Sequence, residues 1–484
     1  MKPELKKYLD EIDEKSDSLC ALSDEIWGYA ETAFTEFQSE RALMEFFRKE
    51  GFQVTEEAYG VKTAFTAEFG SGSPRVGLLG EFDALSGLSQ VAEKVEKEAE
   101  VSGGCGHGCG HNLLGVGSAA AALAVKRYLE DGHPGTVVYY GCPGEEGGSG
   151  KAFMARNGAF KDLDCAITWH PGTTNSVGKD SSLANFQVLY SFKGITAHAA
   201  GCPEMGRSAL DALELMNVGA NFLREHMIDK ARVHYAITDT GGYSPNVVQD
   251  KAKAIYLIRA PKVGQAYELY QRVNKIAEGA AIMTETTMEH QLIKSCANMV
   301  SNRVLEKVLY QAMQDVGVPE YTEEEYEKAA AYTATAPAGA EASYAELIED
   351  HLVPANVKFL KEKKDRRIYD FVVPYEEVHI VSTGTGSTDV GDASWMCPTA
   401  QISTATWAPR TPGHSWQVVS QGKSSTAHKG MLYAGKSMGL AAVYMMEDAE
   451  LLKAAREEYD EAMEDQTYIP IPDDVQPRAL SQIK

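Results

Sequence analysis

The sequence predicts an α/β fold into which a second, smaller α+β unit is inserted. Three observations carry the prediction. Short apolar runs without polar alternation, RVGLLGEF (75–82), TVVYYGC (136–142), DCAITWH (164–170) and AQISTATW (400–407), read as strands buried on both faces. A long Ala-rich helix, LLGVGSAAAALAVKRYLE, lies between the first and the third. A different texture occupies about 184–300, where the order strand, helix, strand, strand, helix, strand is that of a ferredoxin-like sandwich.

Taken in order, the first segment is helical, with Leu22, Ile26 and Tyr29 and then Leu43, Phe46 and Phe47 at helical spacing. The charged run AEKVEKEAE (92–100) reads as a solvated helix face. The Ala-rich helix carries Lys126 and Arg127 in its last turns and stops at Asp131-Gly132, as charge and capping preferences require. In the second texture, ANFQVLYSFKG is a strand and RSALDALELMNVGANFLREH a helix. VHYAITDTGG and AKAIYLIRA follow as strands, VGQAYELYQRVNKIAEGAAIM as a helix and TTMEHQLIKSCAN as the last strand. After Asn302 the first texture returns. The expected organisation is therefore a discontinuous catalytic unit, 1–184 and 301–484, interrupted by a unit at 185–300. AAAYTATAPAGA (329–340) is expected to be a loop, and no internal repeat is present.

With 46 Lys+Arg against 69 Asp+Glu, the 484-residue chain carries a formal charge of −23. Such a field repels polyanions, which argues against nucleic acid and acidic membranes as partners, and an acidic substrate needs a local cationic pocket. No apolar run reaches the ~18 residues of a membrane span, and MKPELKKYLDEIDEK has no apolar signal core, so the expected location is the cytoplasm. The 8 cysteines are few for this length and unevenly spread, which suits reduced thiols or metal ligands better than a disulfide framework.

In an open α/β sheet, ligands gather beyond the carboxyl ends of the strands. Asp83 follows the first apolar run, Glu145 and Glu146 follow the second through GCPGEE, His170 ends the third, and His414 lies in the loop after the last. Cys109 and His111 belong to GCGHGCGHN (104–112), just before the Ala-rich helix. Sulfur, nitrogen and carboxylate donors together suit zinc and leave manganese or cobalt open. Three readings of the Cys/His loop stand side by side: part of a catalytic metal site through Cys109 and His111, a local structural zinc, or a redox element. The first leaves Cys105 and His107 as packing residues. Glu145 and Glu146 are expected in an extended segment, where neighbouring side chains point apart, so that Glu146 binds metal and Glu145 acts as general base; the alternative is a pair of solvated acids in a Gly-rich turn.

GEFDALSGL, GCGHGCGHNLLGVGSAAAALA, GCPGEEGGSGKAFM, ITWHPG, GITAHAAGCPEMGRSALDA, GGYSPNVVQDKA and TPGHSW together resemble the metallopeptidase family of aminoacylases, glutamate carboxypeptidases and auxin-conjugate hydrolases. They are most similar to its p-aminobenzoyl-glutamate hydrolase branch, large-subunit type, and the resemblance spans nearly the whole chain. It implies a di-metal amidohydrolase whose catalytic domain is interrupted by a lid. It also implies Cys109, His111, Glu146, His170 and His414 as ligands of two divalent ions, manganese or zinc, with Cys109 bridging. Glu145 would be the base and Asp83 the acid that orients a ligand. From the lid it implies His198 as a residue that reaches the partner subunit's site and stabilises an oxyanion, Asn246 as substrate-binding, and a homodimer joined through the lids. A second, paralogous subunit is the further partner to consider. Arg207 and Arg259 are both candidates for a substrate-carboxylate clamp. The chain departs from relatives in having Glu81 where a histidine-based first motif has its histidine, and Asn112 and Leu114 where commoner relatives have Asp and His.

The expected activity is hydrolysis of the amide bond of an N-acyl or N-aroyl amino acid such as p-aminobenzoyl-glutamate. A dipeptidase or an indole-acetyl-amino-acid hydrolase would use the same machinery. From another class, the alternatives are an inactive metal-binding partner subunit and a redox sensor.

Overall fold

A computed structural model describes residues 3–377, 382–479 and 482; the outermost ends of the expected catalytic unit lie outside these residues. Among the described residues there are eleven strands. They are β1 (Gln53–Thr55), β2 (Phe65–Ser71), β3 (Arg75–Glu81), β4 (Gly135–Cys142), β5 (Cys165–Gly172), β6 (Ser176–Val177), β7 (Ala184–Lys193), β8 (Arg232–Asp239), β9 (Lys251–Ala260), β10 (Thr287–Cys296) and β11 (Thr399–Ala405). Seven form one sheet in the order β1-β2-β4-β3-β5-β11-β6. Its centre is parallel: β3 pairs with β4 and β5, and β5 with β11. The four apolar runs of the sequence are these four strands. Successive residues of β4 enter opposite layers, Val137 and Tyr139 one apolar cluster and Val138 and Tyr140 another, so the strand shows no polar alternation.

The layer over one face is built on α1 (His111–Glu130), the expected Ala-rich helix, which ends at Asp131 with Gly132 at φ 92°. Against α1 pack the helices Lys6–Glu14 and Ser16–Tyr29 and, from far along the chain, Ser425–Glu447. The approach of Ser425–Glu447 depends on glycine: a Cβ on Gly435 would stand 2.7 Å from Ala120 Cβ, and one on Gly439 2.7 Å from Ala124 Cβ. Both distances are below van der Waals contact, so the small-residue stripes set the interhelical spacing.

Between Ala184 and Cys296 the chain builds a second, antiparallel sheet in the order β10-β7-β9-β8. It matches the expected strand and helix order, with α2 (Ala209–Leu223) and α3 (Val263–Thr284) covering one face through Phe186, Val188, Tyr256 and Ile258. The alternate residues Asn185, Gln187, Leu257, Arg259, Lys294 and Cys296 face away from the helices into a cavity shared with the first sheet. Edge strand β8 is exposed along most of its length.

Three local expectations differ from the structure. Residues 92–100 are not helical: Glu93 has φ 58°, its N–H donates to Ser420 O, and Gln90 holds Glu96 and Glu98 by side-chain hydrogen bonds, so tertiary bonds override the charged helical pattern. The stretch 329–340 begins inside the helix Glu323–Thr333, and only its later part is irregular. Glu145 and Glu146 open a helical turn, Glu145–Gly148, instead of lying in an extended segment. No helix among the described residues is long and apolar enough to cross a membrane.

Candidate metal centre

The residues expected at strand ends converge beyond the carboxyl edge of the parallel strands. The Gly-rich loop before α1 is pinned from both sides: Gly106 and Leu85 exchange backbone hydrogen bonds of 3.0 and 2.9 Å, and His414 N–H donates to Gly108 O at 3.0 Å. Gly110, at φ 74°, caps α1 and turns the chain sharply between Cys109 and His111. Both side chains therefore face the same point.

Two groups of donors meet there. Cys109, His111 and His170 form one, and Cys109, Glu146 and His414 the other, each with ligand atoms within 4.8 Å of one another. Cys109 belongs to both. Its Sγ lies 3.4 Å from His170 Nε2, and His170 Nδ1 lies 2.7 Å from Pro171 O, which fixes the ring with Nε2 toward the sulfur. Asp83 holds a ligand from each group: Oδ1 is 2.9 Å from His111 Nδ1, and Oδ2 accepts the Glu146 N–H at 2.9 Å. His414 Nε2 is 3.3 Å from Glu146 Oε1, and His111 Nε2 is 3.9 Å from the same oxygen. His414 is 57% exposed, so the centre opens on its side.

Burial opposes ionisation of the Cys109 thiol, yet His170 and His111 beside it bring it down to about 6. Burial likewise opposes the Glu146 carboxylate, which the His414 hydrogen bond and His111 hold down at about 2. His414 is pushed up to about 10 by its hydrogen bonds to Cys109 and Glu146, and His170, against burial, to about 9 by Cys109. The anionic donors thus draw positive charge onto the imidazoles around them. Apart from their charged contacts with Glu81, His414 and each other, the buried atoms His111 Nε2 and Glu146 Oε1 have no hydrogen-bond partner among the described residues. A nitrogen and a carboxylate oxygen so poorly satisfied, converging beside a low-pKa thiol, are a donor set that fits a divalent cation.

Glu145 lies half-buried at the same place, and its carboxyl is pushed well up by desolvation and by Glu81, Asp389 and Glu146. A cavity of about 390 Å³ joins Glu145, Cys109, Glu146, His170 and His414 to the open face of the second sheet. Arg259 lines it, with Nε buried and unpartnered; Asn185, its partner on the neighbouring strand β7, also has Oδ1 unpartnered, and Lys294 lines the same cavity from β10, two strands away. Arg207 does not line it and is engaged with Glu285 and the carbonyls of Glu204 and Gly206. His198 and Asn246 lie side by side away from this cavity on an exposed edge, where Ala199 N–H donates to Asn246 O and Gly201 N–H to His198 Nδ1. Cys105 and His107 belong to neither donor group, and His107 is buried with Nε2 3.1 Å from Ile26 O.

Sequence reasoning noted Glu81 only as a departure from relatives and gave no role to it, to Lys151 or to Asp389. Lys151 Nζ is bonded to Glu81 Oε1 at 2.5 Å and Asp389 Oδ1 at 2.6 Å, with all three side chains buried. A signal was present: a lone carboxylate inside the apolar run RVGLLGEF demands a buried partner.

Fold and donor arrangement together define a metal-dependent hydrolase of amide bonds. The model of peptidase family M20/M25/M40 matches residues 77–474, and the chain belongs to that family. It is 46% identical over 480 residues, 99% of both chains, to one of the subunits of p-aminobenzoyl-glutamate hydrolase from Escherichia coli (strain K12). It is 33% identical over 323 residues, 63% of this chain and 69% of the relative, to Xaa-Arg dipeptidase of Homo sapiens. Among solved structures it shares its fold with a dinuclear metal binding peptidase of Bacillus subtilis, at a TM-score of 0.54 and 14% identity, covering 90% of this chain and 99% of that one.

Proposed function

We propose that this chain hydrolyses the amide bond of an N-aroyl or N-acyl amino acid whose leaving amino acid carries free carboxylate, with p-aminobenzoyl-glutamate the leading candidate. The observation that carries the reading is the convergence of two donor groups on Cys109 with the half-buried Glu145 beside them in one cavity. The likeness from end to end to a p-aminobenzoyl-glutamate hydrolase supports the choice of acid and acyl group.

In this reading Cys109, His111 and His170 hold one divalent ion and Cys109, Glu146 and His414 the other, manganese or zinc. Bound there, the ions supply Lewis-acid polarisation of the amide carbonyl and acidify the attacking water. Asp83 keeps His111 in the tautomer that presents Nε2 and fixes the turn bearing Glu146. Glu145 takes the proton from the attacking water at its carboxylate and delivers it to the departing nitrogen, a role that its raised pKa suits. Arg259, with an unmatched Nε in the cavity, binds the substrate carboxylate in preference to Arg207, and Lys294 adds a second cation on the same wall. The local cationic wall answers the need set by the chain's charge of −23.

Residues 185–300 serve as a lid and as the dimer contact. Support comes from exposed Tyr235 and Ile237 on edge strand β8 and Leu215, Val218 and Phe222 on α2, apolar groups that a second copy would cover. In that dimer His198 and Asn246, remote from their own chain's cavity, reach the partner's. The enzyme is cytoplasmic in this account. Because the Escherichia coli relative is itself one subunit of a hydrolase, a paralogous subunit is the partner to test beside self-association. A second reading, a dipeptidase, is favoured by the likeness to Xaa-Arg dipeptidase.

The test is the purified chain, loaded with manganese or zinc and offered aroyl-glutamates, acyl amino acids and dipeptides, with and without Glu145→Gln. Aroyl-glutamate should be cleaved best, and Glu145→Gln should lower kcat by ~10²–10⁴ with metal content intact. A preference for dipeptides selects the second reading; retained turnover in Glu145→Gln removes Glu145 from the reaction.

A further inference from the structure

A third group of donors lies against the first two. Glu81, His111 and Glu145 also offer atoms within 4.8 Å of one another, so by distance alone this trio suits a cation as well as either group that contains Cys109. Glu81 Oε2 stands 3.3 Å from His111 Nε2, the nitrogen needed at the Cys109 centre. A further cation held chiefly by the two carboxylates would stand against His111 Nε2, loosen its hold on the Cys109 centre and tie up the carboxylate of Glu145. Some feature of the chain must decide whether it binds.

That feature is on the other oxygen of Glu81. Lys151 Nζ binds Glu81 Oε1 at 2.5 Å and Asp389 Oδ1 at 2.6 Å, and Asp389 Oδ2 also accepts the Lys151 backbone N–H at 2.9 Å. Asp389 therefore grips Lys151 at both ends, and the ammonium, 0% exposed, has nowhere to swing. The local backbone is built to deliver it: a Cβ on Gly150 would lie 1.9 Å from Pro143 O, so only glycine allows the chain to double back from the Glu145–Gly148 turn into the helix that carries Lys151. Burying an ammonium costs several kcal/mol, and apolar replacement of buried ion pairs is often neutral or stabilising, so cohesion alone gives no reason for a lysine here.

We infer that Lys151 is a built-in counter-cation that keeps the Glu81–His111–Glu145 trio from binding a metal ion, leaving His111 to the Cys109 centre and Glu145 free to move protons. The inference makes Lys151 a positioning residue and rests on the hydrolase reading above. One ammonium against the carboxylates of Glu81 and Asp389 leaves the cluster at −1. Without Lys151 it stands at −2 beside Glu145, a nest of hard oxygen donors suited to manganese or magnesium. Changing Glu81 to Gln at the same time returns the cluster to −1.

The experiment counts metal by mass spectrometry after equilibrium dialysis against Mn²⁺, in wild type, Lys151→Met and Glu81→Gln/Lys151→Met, with thermal unfolding as the check on folding. Lys151→Met should bind about one more equivalent per chain than wild type and lose at least tenfold in kcat. The charge-matched double variant should return to the wild-type count. An unchanged count in Lys151→Met, or the same excess in the double variant, overturns the inference. If Lys151→Met does not fold, Lys151→Gln, which keeps a hydrogen-bond donor but removes the charge, decides: an extra equivalent upholds the inference, and a wild-type count, or a chain that does not fold, gives Lys151 a structural role only. The count is read without substrate, so an incorrect assignment of the reaction would leave it standing.

Discussion

Asp83 joins the two donor groups, and its removal should be felt by both. Its two oxygens accept from His111 Nδ1–H and the Glu146 N–H at 2.9 Å each, and the residue is 1% exposed, so no water can substitute. In Asp83→Asn the side chain has one oxygen to offer, and its NH₂ must face the other donor. A buried donor left unmet costs ~1–3 kcal/mol. Loss of an outer partner of a metal-ligating histidine typically lowers metal affinity ~10–100-fold, which at ~1.4 kcal/mol per decade is the same energy. Competition with a fluorescent chelator should therefore show manganese or zinc held about 10–100-fold more weakly, and kcat/KM measured at limiting metal should fall with it. Affinity equal to wild type in a folded Asp83→Asn chain would refute the claim that Asp83 organises the centre.

Arg259→Gln should lower kcat/KM for aroyl-glutamate by ~30–100-fold, mostly through KM, from the loss of a charge-assisted pair, whereas Arg207→Gln should change it little; steady-state kinetics of both variants decides. If His198 acts across the dimer, His198→Ala and Glu145→Gln chains, each poorly active, should regain activity when mixed under exchange conditions, and mixtures no better than their parts would place His198 outside the reaction. Burial alone would lower the pKa of His428, but hydrogen bonds to Asp24, 2.9 Å away, and to Cys20 raise it to about 9. The folded chain thus holds this proton more tightly than the unfolded one, so the stabilisation is complete below ~pH 6.5 and fades as pH rises through 9. Asp24→Asn should cost ~1–2 kcal/mol in denaturant unfolding near pH 6, with Asp24 partly exposed, and almost nothing near pH 10.

The central strands were legible because burial on both faces leaves an unbroken apolar run, and the inserted unit because its strands and helices alternate with clear periods. Strands β1, β2 and β6 were not: β1 and β6 are edge strands of three and two residues, and β2, between β1 and β4, is half-polar and ends in Gly70 and Ser71. Of the five expected ligands, Glu146, His170 and His414 follow apolar runs, and Cys109 and His111 sit in the Gly-rich loop before the Ala-rich helix, places that a sequence can mark. Lys151 escaped because its meaning lies in Glu81, 70 positions before it, and Asp389, 238 after it, a distance over which no periodicity speaks. The two arginines could not be ranked from sequence, since only the fold puts Arg259 on the cavity wall and Arg207 against Glu285.

The most direct test of the account is anomalous diffraction from crystals of the chain grown with manganese or zinc. It predicts two peaks flanking Cys109 Sγ, one also bonded by His111 and His170 and the other by Glu146 and His414. A single peak held within the Cys105–His111 loop, or density that leaves Glu146 or His414 out of bonding range, would contradict it.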